Sequence, residues 1–112
     1  MVYAVAQSGQ GGENDIGFFI RSNNGGGSWT NISIPLNENG VHFTRGQAWY
    51  DLILSVDPQS SSIVYAGGID LHKSSDSGSS WSQISQWYGN GFSYVHADQH
   101  CIAFRSGYPQ EF

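Results

Sequence analysis

Apolar and polar residues alternate along most of this chain in short runs, and clusters of Gly, Ser, Asn and Asp break the runs apart. Alternation with a period of two places one set of side chains on each face of a strand, so these runs predict β-strands. The reading gives VYAVA over 2–6, GFFIRS over 17–22, WTNISI over 29–34, LILSVD over 52–57, SIVYAG over 62–67, DLHKSS over 70–75, WSQIS over 81–85 and HCIAF over 100–104. No stretch carries the apolar spacing of a helix.

The runs recur. Residues 22–29, SNNGGGSW, return 52 positions later as SSDSGSSW over 74–81, and Ile32-Ser33 returns as Ile84-Ser85. Val2-Tyr3-Ala4 returns as Val64-Tyr65-Ala66 after 62 positions, which leaves the first copy with extra residues in its GQGGENDIG hairpin. A looser match joins DLILSVDP, 51–58, to QHCIAFRS, 99–106. Four short strands in a repeat of about fifty residues read as the blade of a β-propeller. The expected fold is therefore all-β, with two four-stranded antiparallel blades, one of them partial, from a larger propeller. Residues 1–34 supply strands two to four of one blade, 51–85 a complete blade, and 99–106 the first strand of a following blade.

The repeated phrase resembles the Asp-box, or BNR repeat, written Ser-x-Asp-x-Gly-x-Ser/Thr-Trp. Ser74, Asp76, Gly78, Ser80 and Trp81 fit every fixed position, while Ser22, Asn24, Gly26, Ser28 and Trp29 depart from it only in Asn24. The chain as a whole is similar to secreted bacterial propellers of the xyloglucanase-type glycoside hydrolases and to sortilin-like proteins. The resemblance implies that the box is a fold element remote from the active face. The residues point the same way. A carboxylate can accept hydrogen bonds from its own turn, Gly takes a positive φ that other residues resist, and Trp can bury its ring while its N–H finds a partner. These ten residues are thus expected to be structural.

Composition narrows the partners. Four Lys and Arg stand against nine Asp and Glu, a formal charge of −5, so no basic stripe exists to follow a phosphate backbone and nucleic acid is not expected. No segment is apolar for long enough to span a membrane as a helix. The single cysteine, Cys101, rules out an internal disulfide framework and reads as a small packing residue on a strand. Low lysine with abundant Ser, Asn, Gly and Trp fits an extracellular or cell-surface setting. The N-terminal MVYAVAQ runs straight into a strand pattern without the features of a signal peptide, which reads as a fragment of a longer propeller. Such propellers hold about four to eight blades, so the remaining blades are expected partners.

Candidate chemistry lies in the two long connections that follow strand four, 35–50 and 86–100. In an up-and-down sheet these fall on the rim opposite the boxes. They carry Trp49, Tyr50, Trp87, Tyr88, His96 and His100, where aromatic faces beside hydrogen-bonding groups suit a sugar. The expected partner is a polysaccharide or glycan, with a protein as the alternative. Asp98, between His96 and His100, and Asp51, at the start of the preceding first strand, are the candidate catalytic carboxylates, since glycoside hydrolysis uses two. The His-x-Asp-x-His trio is short of a closed metal site; neither metal nor cofactor is expected. The rival reading is a non-catalytic scaffold for protein contacts, of the sortilin-like or assembly-factor-like kind. Arg21, Arg45 and Arg105 do not form the carboxylate clamp of a sialidase, because Arg21 directly precedes a box.

Overall fold

The computed structural model describes residues 1–10, 12–86, 93–94, 98–99 and 101–104. Among them there is no helix, hence none long and apolar enough to cross a membrane. Strands β1 (Val2–Gln7), β2 (Ile16–Ser22) and β3 (Thr30–Asn31) form one antiparallel sheet in that order. Strands β4 (Ile53–Asp57), β5 (Ser60–Gly67), β6 (Leu71–Ser74) and β7 (Ser82–Gln83) form a second antiparallel sheet in that order. Equivalent strands pair in equivalent register: Arg21 faces Thr30 in the first sheet, and Lys73 faces Ser82 in the second.

Four expectations need correction. The last strand of each repeat is shorter than its alternating run, with ladder pairing limited to two residues before Ile32 and Ile84 each donate one further bond, to Phe19 O and Leu71 O. The run WSQIS is also divided: β8 (Ser85–Gln86) leaves the second sheet and pairs in parallel with β9 (Ser93–Tyr94). The run HCIAF forms no strand over its described part, 101–104, and Cys101 is exposed rather than packed. A first strand takes its ladder from the strand after it, and no described residue of this chain supplies one there. Phe104 instead lies on Tyr65, ring centroids 5.6 Å apart.

Both repeated turns close on themselves. In the second, the Ser74 hydroxyl donates to Asp76 Oδ1 (2.8 Å) and accepts from the Gly78 amide (2.8 Å), while Asp76 accepts the amide and the hydroxyl of Ser80. The first repeats this with Ser22, Asn24, Gly26 and Ser28. There Asn24 Nδ2 donates to Ser28 Oγ (2.9 Å), so the hydroxyl reverses its role and the network survives the loss of the carboxylate. Gly26 and Gly78 take φ of 98° and 86°, the left-handed region that L side chains resist.

The core lies between the two sheets. Alternation along β2 sends Phe19 inward, where it stacks on Trp81 at 5.4 Å, and Ile16, Ala66 and the connection residues Phe43 and Ala48 complete the buried cluster. Trp81 also donates its indole N–H to Ser33 O (2.6 Å). Trp29 was expected to bury its ring as Trp81 does, but it is 44% exposed. The reason is positional, since Trp29 stands on the face of the first sheet turned away from the second.

Candidate functional site

Chain direction decides which ends of the sheets come together. Because the strands are antiparallel, the two repeated turns leave one end, and the first hairpin, the 35–50 connection and the β5–β6 turn leave the other. Long-range bonds tie this second end into one body. The Phe43 carbonyl accepts from the Ile69 amide, the Gly68 carbonyl accepts from the Gln99 amide (2.7 Å), and the Ile16 amide donates to His42 Nδ1 (3.1 Å).

Asp15 staples the hairpin to the connection. It is fully buried, with its carboxylate accepting the Thr44 hydroxyl and the Ala48 amide (2.7 Å). Asp15 was not a candidate, because it reads in the sequence as part of a hydrophilic hairpin; its position directly before the apolar strand β2 is the only local signal. His42 beside it is held below the ordinary imidazole range by burial, against which the charge of Asp15 acts.

Asp51 and Asp98 are brought together. Asp51 is fully buried and Asp98 partly so, and burial followed by the adjoining Asp98 carboxyl raises Asp51 to about 7. Neither Asp51 oxygen has a donor among the described residues. Burial and a neighbouring carboxyl both disfavour the charged form, so the site favours protonated Asp51. Asp98 reaches it with φ of 68°, a left-handed backbone that Asp tolerates.

The aromatic candidates divide. Trp49 and Tyr50 stand 70% and 52% exposed, with rings 5.5 Å apart and tilted by 46°, and they lead directly into buried Asp51. A small open recess lined by Glu13, Asn37, Asn39, Val41 and Arg45 lies on the same connection, and Arg45 pairs there with Glu38 at 2.7 Å. Trp87, Tyr88, His96 and His100 lie outside the described residues. Arg21 donates to Ser77 O (2.6 Å) across the sheets and is structural. Among the described residues no group of three His, Cys, Asp or Glu side chains is placed to hold a metal ion.

His72 carried no signal of its own in a strand pattern. It is buried against Phe43, centroids 6.0 Å apart, and burial lowers it to about 4. The carbonyls of Leu36 and Asp70 approach its ring outside good hydrogen-bond geometry.

Comparison of the chain with protein-family models, with curated proteins and with solved structures returns no match.

Proposed function

We propose that this chain is part of an extracellular Asp-box β-propeller, glycoside hydrolase-like or glycan-binding, and that the end opposite the repeated turns is a carbohydrate-binding face. The observation that carries the reading is the exposed Trp49–Tyr50 pair, set at that end on a connection pinned by the buried Asp15. A sugar ring offers an apolar face to a flat aromatic and a hydroxylated edge to polar groups, and the same connection also carries the polar recess of Glu13, Asn37, Asn39 and Arg45.

Calorimetric titration with a panel of plant and bacterial cell-wall oligosaccharides tests the reading. At least one class should bind, and Trp49→Ala should weaken it by about tenfold or more while leaving the fold intact. Absence of binding across the panel, or an affinity indifferent to Trp49→Ala, would leave the scaffold alternative standing in its place.

A further inference from the structure

The two repeated turns share one hydrogen-bond pattern but not one chemistry. Where the second has Asp76 followed by Ser77, the first has Asn24 followed by Gly25. An asparagine before glycine can react with its own chain: the next amide nitrogen attacks the side-chain Cγ, ammonia leaves, and a five-membered succinimide forms. Glycine permits this because it has no Cβ to obstruct the approach. Water then reopens the ring. Three such pairs occur in this chain, Asn24-Gly25, Asn39-Gly40 and Asn90-Gly91, the last outside the described residues.

The structure separates the first pair from the second. At Asn39 the side chain is exposed, but the attacking group is engaged, because the Gly40 amide donates to Asn37 O (3.0 Å). At Asn24 the engagement is reversed. The Gly25 amide has no acceptor among the described residues, and nothing stands within 4 Å of where a Gly25 side chain would begin. Asn24 Oδ1, by contrast, accepts both the Ser22 hydroxyl (2.8 Å) and the Ser28 amide (2.8 Å). Two donors on that oxygen draw electrons from Cγ and stabilise the negative charge that the oxygen takes up when Cγ is attacked, as donors do for the tetrahedral intermediates of acyl transfer. The leaving nitrogen is held as well. Asn24 Nδ2 donates to Ser28 Oγ (2.9 Å), and a hydroxyl can turn to give its own proton instead of accepting one. Asn24, Gly25 and Ser28 are all exposed, so water reaches the turn.

The product has a place waiting for it. In the second turn a carboxylate occupies the same position, where Asp76 accepts the Ser80 hydroxyl, the Ser80 amide and the Ser74 hydroxyl, and these bonds hold its carboxyl at about 2. A carboxylate at position 24 meets Ser22 and Ser28 in the same places, with the Ser28 hydroxyl turned to donate. Every fixed position of Ser-x-Asp-x-Gly-x-Ser/Thr-Trp is then filled in both turns.

We infer that the first turn is a self-modifying site, in which Asn24 takes up water, releases ammonia and becomes an aspartate. In the first step the bond from the Gly25 nitrogen to Asn24 Cγ forms and the Cγ–Nδ2 bond breaks, Nδ2 leaving with a proton passed through Ser28 Oγ. In the second, water adds to Cγ and the bond from Cγ to the Gly25 nitrogen breaks, so that the oxygen stays on the side chain and a proton returns to the amide. The donors on Oδ1 direct water to Cγ rather than to the main-chain carbonyl, whose opening would route the chain through the side chain as isoaspartate. The conversion adds one negative charge, needs no reactant but water, and stands or falls independently of carbohydrate binding.

Peptide mapping by mass spectrometry tests it on the full 112-residue chain, sampled over time at mildly alkaline pH. A protease that cuts before aspartate but not before isoaspartate tells the two products apart. Asn24 should convert about tenfold or more faster than Asn39, with aspartate as the main product. In urea, where neither turn is formed, the preference for Asn24 and the preference for aspartate should both vanish. Ser28→Ala, at an exposed position, should slow conversion of Asn24 by about tenfold or more and leave Asn39 unchanged. No conversion at Asn24, an Asn39 that converts as fast, isoaspartate as the main product of the folded chain, a preference for Asn24 that persists in urea, or a Ser28→Ala chain that converts like the parent would each overturn the inference.

Discussion

At the scale of single residues, the repeated turns show that exposure, more than charge, sets what a hydrogen bond contributes. Asp76 is held to about 2, first by the Ser80 hydroxyl and then by the Ser80 amide and the Ser74 hydroxyl, yet it stands in solvent. Water can take over its acceptor role. Ser74 is buried, and no water reaches the Gly78 amide that its oxygen satisfies. Ser74→Ala should therefore destabilise the chain by about 1–3 kcal/mol, the cost of an orphaned buried donor. Asp76→Ala should cost less, and Asp76→Asn should nearly preserve stability, since the Asn24 turn already runs the same network. Urea midpoints of the three variants check the order; a greater loss in Asp76→Ala than in Ser74→Ala would contradict it.

At the scale of elements, two turns with one local geometry have different neighbours, and substitution should separate the two effects. Gly26 and Gly78 both lie in the left-handed region, where a side chain costs about 1–2 kcal/mol. Beside Gly26 an added Cβ meets only Trp29 at 3.6 Å, while beside Gly78 it runs into Ile32 of the other sheet. Gly26→Ala should show the backbone cost alone, and Gly78→Ala should lose more by pushing the sheets apart. Ile32→Ala introduced with Gly78→Ala should remove the excess, a coupling that a double-mutant cycle in urea measures directly. Equal losses at the two glycines would mean that the sheets do not meet at this turn.

At the scale of the whole molecule, buried titratable groups set opposing pH trends. Asp51, raised to about 7 from an ordinary value near 3.8, binds its proton more tightly folded than unfolded. Its stabilising effect is complete below about pH 4 and is lost as pH rises through 7. His72, lowered to about 4 from 6.5, acts in the reverse sense, supporting the fold above pH 6.5 and withdrawing that support as pH falls through 4. The parent chain should thus vary less between pH 4 and 7 than either variant does. Asp51→Asn should lose stability on acidification through this window, and His72→Leu should gain it. Urea midpoints taken at half-unit pH steps read both slopes, and parallel profiles for parent and variants would show that these two groups do not govern the range.

The amino-acid order determined by itself whatever closes within a few residues. The strands β1, β2, β5 and β6, the paired turns and the repeat that relates the two sheets were all legible, because alternation, glycine freedom and Ser-to-Asp hydrogen bonds are local matters. So was the choice of sheet end for the 35–50 connection, since antiparallel order alone decides it. Tertiary structure decided everything that depends on which faces meet. Trp29 and Trp81 occupy the same place in the same phrase, yet one is half exposed and the other stacked on Phe19, because only one has a sheet in front of it. Asp15 gave little local sign of burial and His72 none, and Asp51 is buried beside Asp98, from which a whole sheet separates it in the chain. Distance along the chain hides such contacts, for their energy comes from excluded water and partners supplied by remote segments.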